Sequence, residues 1–276
     1  MPETRKGFLG WWQNTPADST AKTLFVAISL CLFCSMVVAA AAVALRPVQE
    51  ANQVLDKRRN ILQVAGLYEE GMDINAVFSS AFEPKIVDLE TAEYVEEVPN
   101  EAGEPFTVAD YDDVAATSDM NLSSELDEDP AGLGRQARYQ MVYLLKDDSG
   151  ALDKVVLPIS GYGLWSTLYG FITLEEDTNT VFGLQFYQQA ETPGLGAEVD
   201  NPRWKALWND KKLRDDEGDL RINVSKGSPQ GEAADYHIDA LAGATLTSRG
   251  VDNLVRFWMG DAGFAPYLEK LKNGDL

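Results

Sequence analysis

The residues "LFVAISLCLFCSMVVAAAAVAL", from Leu24 to Leu45, run for 22 positions without a charge between Lys22 and Arg46. No other feature restricts the chain as strongly, because a run of this length crosses the hydrocarbon layer of a bilayer as a helix. Its eleven Leu, Ile, Phe and Val side chains favour insertion by roughly 3 to 7 kcal/mol. The expectation is a transmembrane helix at 24–45 behind an N-terminal tail at 1–23. A cleaved leader is the competing reading, since Ala42-Val43-Ala44 resembles a small-residue cleavage site. Charge does not decide the orientation: Arg5, Lys6 and Lys22 precede the run, while Arg46, Lys57, Arg58 and Arg59 follow it. Trp11 and Trp12 have the character of an interfacial anchor or of a tail. Cys31 and Cys34, the two cysteines of the chain, both lie in the run one helical turn apart. They are at most half of a four-coordinate metal site and otherwise pack as small apolar residues, and everything after Arg46 is free of disulfides.

Beyond the membrane, 45% apolar content over 276 residues supplies a real core. Lys and Arg number 23 against 44 Asp and Glu, and a net charge of -21 argues against nucleic acid as a partner. The stretch "VQEANQVLDKRRNILQVAGLYEEGM" reads as a helix continuing from the span, with Val54, Leu55, Ile61, Leu62, Val64 and Leu67 as its apolar face. No basic residue then occurs between Lys85 and Arg135, and "SSELDEDPAGLG" has the composition of a solvated loop. Asp127, Glu128 and Asp129 lack the alternating ligands and central Gly of a calcium loop. We therefore expect a membrane-proximal helical and acidic region at 46–134 and a folded domain at 135–276.

In that second part, "RYQMVYLLKD" and "LDKVVLPISG" flank Asp148-Ser149-Gly150 as a hairpin, and "NTVFGLQFYQQA" offers a further strand. "PRWKALWNDKKL" looks helical with Trp204, Leu207 and Trp208 on one face, and "LRINVSKG" resembles a strand. Val251, Leu254, Val255, Trp258 and Met259 follow the spacing of a core-facing helix that ends near Gly260. The expected fold class is α+β: one N-terminal transmembrane helix, then a domain with a mixed or antiparallel sheet and flanking helices. The single histidine, His237, has no nucleophile setting and reads as a strand position. No phosphate-binding glycine motif and no His/Cys metal cluster is present.

"DALAGATLTS", residues 239–248, precedes the last helix. Read by spacing alone it is a tight turn, with Thr247 or Ser248 capping a helix that starts near Arg249. The same geometry turns unpaired backbone N–H groups and a positive helix end toward the hydroxyls, where a phosphate is stabilised. Asp239, Ala242, Gly243, Ala244 and Thr245 together resemble the flavinylation motif of proteins that carry FMN through a threonine phosphoester. "SGYGLWSTLYGFITL" from Ser160 and "ETPGLGAEVDNPRWKALW" from Glu191 resemble the same family, in the same order behind a single span. The chain is therefore identified as similar to the covalent FMN-binding family, and within it to the C subunits of sodium-translocating NADH:quinone reductases. G subunits of ferredoxin-dependent electron-transport complexes share the motifs, and a cofactor-free, membrane-tethered interaction domain is a reading of another class.

The resemblance implies FMN on Thr245, attached by a separate flavin transferase that reads Asp239 and the Gly243-Ala244-Thr245 turn, with Leu246 and Thr247 beside it. It implies that Tyr162, Leu164 and Trp165, together with the Thr192, Gly194, Leu195 and Gly196 loop, hold the isoalloxazine ring. Lys226 and Arg249 are candidate counter-charges to the phosphate. The chain would carry no catalytic acid or base of its own, because the cofactor supplies the redox chemistry. The family implies an electron relay among the other reductase subunits, passing electrons to the flavin-bearing B subunit and on to quinone. It also implies the bacterial inner membrane, a single pass, and a soluble domain on the periplasmic face.

Overall fold

The computed structural model describes residues 10, 12, 15, 16, 19–101 and 103–276. Arg5, Lys6 and Trp11 lie outside these. The chain divides into two compact units, Met1–Val54 and Leu55–Leu276.

In the first unit the apolar run lies inside α1, a helix of 45 residues from Thr20 to Val64 that continues into the second unit. Among the described residues it is the one helix long and apolar enough to cross a membrane, and its most apolar window has a mean hydropathy of 2.6 with no residue buried. Ala42-Val43-Ala44 lies in the middle of this helix. Pro47 interrupts the hydrogen-bond ladder without ending it. At the near end, the Lys22 ammonium sits 4.7 Å from the Trp12 ring centroid, and that ring meets Phe25 edge-on. Cys31 and Cys34 are exposed along the helix.

The apolar face read after the span is only partly used. Ile61, Leu62 and Val64 are buried, whereas Val54 and Leu55 are exposed. A second helix, α2 (Ile74–Ala81), is capped by the Asp73 carboxylate, which accepts the Ala76 N–H at 3.1 Å.

The domain is built on a seven-stranded sheet. Its strands are β1 (Phe82–Asp88), β2 (Glu93–Val95), β3 (Tyr139–Lys146), β4 (Leu152–Tyr162), β5 (Thr167–Glu175), β6 (Thr180–Gln188) and β7 (Lys211–Lys212). Their order is β7-β6-β5-β4-β3-β1-β2, and every pairing is antiparallel. The hairpin expected around Asp148-Ser149-Gly150 joins β3 to β4, where Asp147 accepts the N–H groups of Ser149 and Ala151. Two further short strands, β8 (Asn223–Ser225) and β9 (His237–Asp239), pair in parallel apart from the main sheet.

Alternation along β3 explains the layers. Val142 and Leu144 belong to one core, with Val155, Leu157, Ile172 and the helices α3 (Thr245–Trp258) and α4 (Ala265–Asn273). Met141, Tyr143 and Leu145 belong to the other, with Ile61, Leu62, Phe78 and Phe82. A sheet covered on both faces gives a strand with no polar alternation, and "QMVYLL" reads that way. The last helix keeps its expected face: Val251, Leu254, Val255, Trp258 and Met259 are all buried.

The boundary expected between 134 and 135 is not a boundary of the fold. β1 pairs with β3 along seven residues, Phe82↔Leu145 to Asp88↔Tyr139, and Arg138 clamps Asp88 through bonds of 2.9 and 2.7 Å. Of "SSELDEDPAGLG", Ser123–Glu125 pairs with Arg135–Ala137 and the rest is the loop expected, while earlier in the acidic stretch Glu97–Val98 pairs with Phe106–Thr107. Val98, Tyr111, Ala116 and Leu122 bury themselves one at a time there, a pattern without a period. Asp129 is occupied in closing its own turn, accepting the amides of Leu133 and Gly134. "PRWKALW" differs in a smaller way. It is one α turn followed by a 3-10 turn, so Trp204 and Trp208 are buried in edge contact while Leu207 is exposed.

One buried ion pair ties the foot of α1 to the domain. The Lys57 ammonium lies 3.2 Å from Asp113, whose side chain is 3% exposed and whose second oxygen has no partner. Burial works against the charge on Lys57, but Asp113 and the Tyr143 and Tyr187 hydroxyls outweigh it and raise its pKa.

Candidate functional site

Three segments distant in sequence meet at the N-terminus of α3. The first is the four-residue turn Gly163–Ser166 between β4 and β5, closed by the Gly163 N–H on the Ser166 carbonyl at 2.9 Å. The second is the loop after β6, where the Thr192 carbonyl accepts the amides of Leu195 and Ala197. Those two amides are thus committed inside their own turn. The third is the start of α3 itself.

This helix begins at Thr245, four residues before Arg249, so the expected cap by Thr247 or Ser248 is not formed. The Ser248 hydroxyl sits in the first turn, donating to the Ala244 carbonyl and accepting the Leu241 N–H. The N-cap is Ala244, which has no polar side chain to offer. Among the described residues, the N–H groups of Thr245, Leu246 and Thr247 find no acceptor, and Ser248 is the first to do so. Gly243 reaches this start through φ +77°, a backbone conformation costly to a residue with a Cβ. The Thr245 side chain is exposed at the positive end of the helix.

The same three segments also leave large apolar side chains exposed. Tyr162, Trp165, Leu195 and Leu246 are exposed by 48%, 67%, 44% and 52%, and they come from all three segments. Leu164 is half-buried, and Thr192 and Gly194 are exposed. Asp239 ends β9; its backbone carbonyl accepts the Trp204 indole N–H at 2.8 Å, and its carboxylate lies 3.1 Å from His237 Nε2. His237 occupies a strand position, as its sequence setting suggests. Lys226 lines a groove with Asp239, Ala240, Leu241 and Ala242 beside the motif. Arg249 is exposed on the first turns of α3, and neither cation enters an ion pair among the described residues.

Thr247 does not face this surface. It is fully buried, and its hydroxyl donates to Glu191 Oε2 at 2.7 Å. Glu191 is the residue that sequence reasoning misses. Its Oε1 accepts the amides of Leu164, Trp165 and Ser166 at 3.0, 2.9 and 3.3 Å, and the residue is 5% exposed. Burial raises the pKa of this carboxyl, but the bonds from Trp165, Thr247, Leu164 and Ser166 outweigh burial and hold it below the usual 4.5. A depressed folded-state pKa contributes stability above pH 4.5 that is lost as pH falls through the folded value. Glu191→Gln is therefore expected to flatten the acid side of the stability profile. Thermal melts between about pH 6 and about pH 3 check this. Asp88, lowered by Arg138 against its own burial, adds to the same limb, so the comparison is with wild type.

The residues present fit FMN: an exposed hydroxyl, the free amides of Thr245 and Leu246, and exposed apolar side chains belong to segments that meet at one helix end. Residues 163–260 match the family model described as FMN-binding domain, a span that starts at the Gly163 turn and ends just past α3. The fold and site thus define a membrane-anchored protein with an FMN-binding domain. Over nearly the full chain it is 50% identical to the C subunit of the Na(+)-translocating NADH-quinone reductase of Pseudomonas aeruginosa, covering 94% of this chain and 98% of that one. It is 44% identical to the corresponding protein of Vibrio campbellii over 94% and 98%. A crystal structure of NqrC from Shewanella oneidensis superposes with a TM-score of 0.70 at 33% identity, over 79% of this chain and 97% of that one. The chain belongs to the NqrC family, the C subunits of the Na(+)-translocating NADH-quinone reductases.

Proposed function

We propose that this chain carries FMN as a phosphoester on Thr245 and relays electrons within the assembled NADH-quinone reductase. The observation that carries the reading is an exposed hydroxyl on the first residue of a helix whose first three amides have no acceptor. Esterification leaves one negative charge on the phosphate instead of nearly two, and the amides of Thr245 and Leu246, both exposed residues at the helix end, are placed to receive it. Lys226, in the groove beside the motif, supplies a local positive charge. Trp165, Tyr162, Leu195 and Leu246 form the wall against which the ring lies and which keeps water from one side of it. FMN supplies the redox chemistry, accepting and releasing electrons singly or in pairs.

Asp239 and Gly243-Ala244-Thr245 are the features a flavin transferase reads during maturation. The partners are the other reductase subunits, with the flavin-bearing B subunit next toward quinone. The domain faces the periplasm from the inner membrane. Everything after Arg46 is cysteine-free, so one cysteine introduced at exposed Asp148 in a Cys31/Cys34-free chain is a clean probe of sidedness. A membrane-impermeant maleimide is expected to label it in intact cells, and labelling only after lysis would reverse the orientation. In assembled membranes, NADH is expected to reduce the flavin on this chain, and a flavin still oxidised after other centres are reduced would contradict the relay.

A further inference from the structure

Two glycines in the loops beside the motif are not required by a left-handed backbone. Gly163 and Gly196 both have ordinary φ values. What fills the place of their missing side chains is one carboxylate. A Cβ at Gly163 would stand 2.7 Å from Glu191 Oε1, and a Cβ at Gly196 would stand 2.7 Å from Glu191 Oε2 and 2.6 Å from the Thr247 hydroxyl. The carboxylate is thus enclosed from two loops, accepts three amides of the Trp165 turn with one oxygen, and takes a hydroxyl of α3 with the other. Its own backbone is fixed as well: the Glu191 N–H donates to the Gln189 side chain, and the Ala190 N–H to the Ser166 hydroxyl.

We infer that Glu191 is the positioning residue of the flavin site, a buried clasp that fixes the Leu164–Ser166 turn against the first turn of the acceptor helix. The inference rests on the reading that FMN sits on Thr245. Glu191 touches neither the acceptor hydroxyl nor the exposed wall. It acts through the backbone of Trp165 on one side and through Thr247, two residues from Thr245, on the other. Without the clasp, three turn amides and one buried hydroxyl lose their acceptor together, and the wall and the attachment point are free to move independently. Glu191 is ionised at neutral pH, so it also places a fixed negative charge inside the site.

The test compares wild type with Glu191→Ala, Glu191→Gln, Thr247→Val and Thr247→Ser in the full chain, coexpressed with a flavin transferase. Adduct mass at Thr245, fluorescence anisotropy and visible circular dichroism of the flavin, and its midpoint potential are measured on each. Glu191→Ala is expected to keep the adduct but lose ring order, seen as lower anisotropy and a weaker visible dichroic band. Glu191→Gln keeps an oxygen for the three amides and is expected to retain ring order, while its potential shifts upward because a negative charge is gone. Thr247→Val, which cuts only the helix side, is expected to lose part of the order, and Thr247→Ser to restore it. A merely structural role would lower melting temperature without moving the potential or the dichroic band. Flavinylated Glu191→Ala and Thr247→Val proteins with wild-type order, together with an unmoved potential in Glu191→Gln, would overturn the inference and leave the covalent reading intact. Absence of the adduct from wild type would overturn both.

Discussion

Thr245→Ala is expected to produce a folded, membrane-anchored chain that carries no covalent flavin. The side chain is exposed and makes no hydrogen bond that the fold depends on. Its removal should therefore change stability by no more than about 0.5 kcal/mol. The loss of adduct should be complete, because the other hydroxyls of the segment are otherwise engaged. Thr247 donates to Glu191 and Ser248 to the Ala244 carbonyl, both buried. Intact mass and in-gel flavin fluorescence of the denatured variant check this, and a fully flavinylated Thr245→Ala protein would place the linkage elsewhere.

The second large effect is on stability. Lys57→Met removes the partner of a buried carboxylate, and Asp113 already has one oxygen without a hydrogen bond. Breaking a buried pair from one side costs roughly 3 to 5 kcal/mol. For a domain of this size that is on the order of 6 to 20 °C in melting temperature. Asp113→Asn is expected to cost less, since the Lys57 side chain is 28% exposed and its ammonium can reach water. The double variant Lys57→Met/Asp113→Leu should recover much of the loss, because an apolar pair leaves no charge stranded. Thermal melts of the full chain in detergent give all three values. A Lys57→Met protein that melts with wild type would show that the pair does not tie α1 to the domain.

What the sequence discloses, and what it withholds, follows from how each feature is encoded. The apolar run, the β3–β4 hairpin and the buried stripe of α3 are local patterns with a period, and each lies where its period places it. β1 is hidden because "FEPKIVD" carries charges and a proline, and its strand character comes from pairing with β3, more than 50 residues away. β5 is masked by the motif it overlaps, although "LYGFITL" is among the most buried strands of the sheet. The start of α3 lies earlier than the capping pattern predicts because Ala244 is a poor capping residue and the hydroxyls that follow are good ones. Here those hydroxyls serve packing.

The candidate site shows the same division. Thr245, Trp165 and Leu195 are legible because motif residues that face outward keep their side-chain chemistry on view. Glu191 is not, because an acid between Ala190 and Thr192 reads as surface until the two glycines that enclose it are brought together. The usable signal is at Gly163 and Gly196, where no left-handed backbone requires glycine and a third group must therefore occupy the space.

Whether Thr245 holds the flavin is read from the mass of the peptide that contains it. The chain is coexpressed with a flavin transferase, denatured and digested. We expect an adduct of FMN mass, less water, that survives denaturation and localises to Thr245. An unmodified Thr245 peptide, obtained where a control protein is flavinylated, would contradict the covalent attachment.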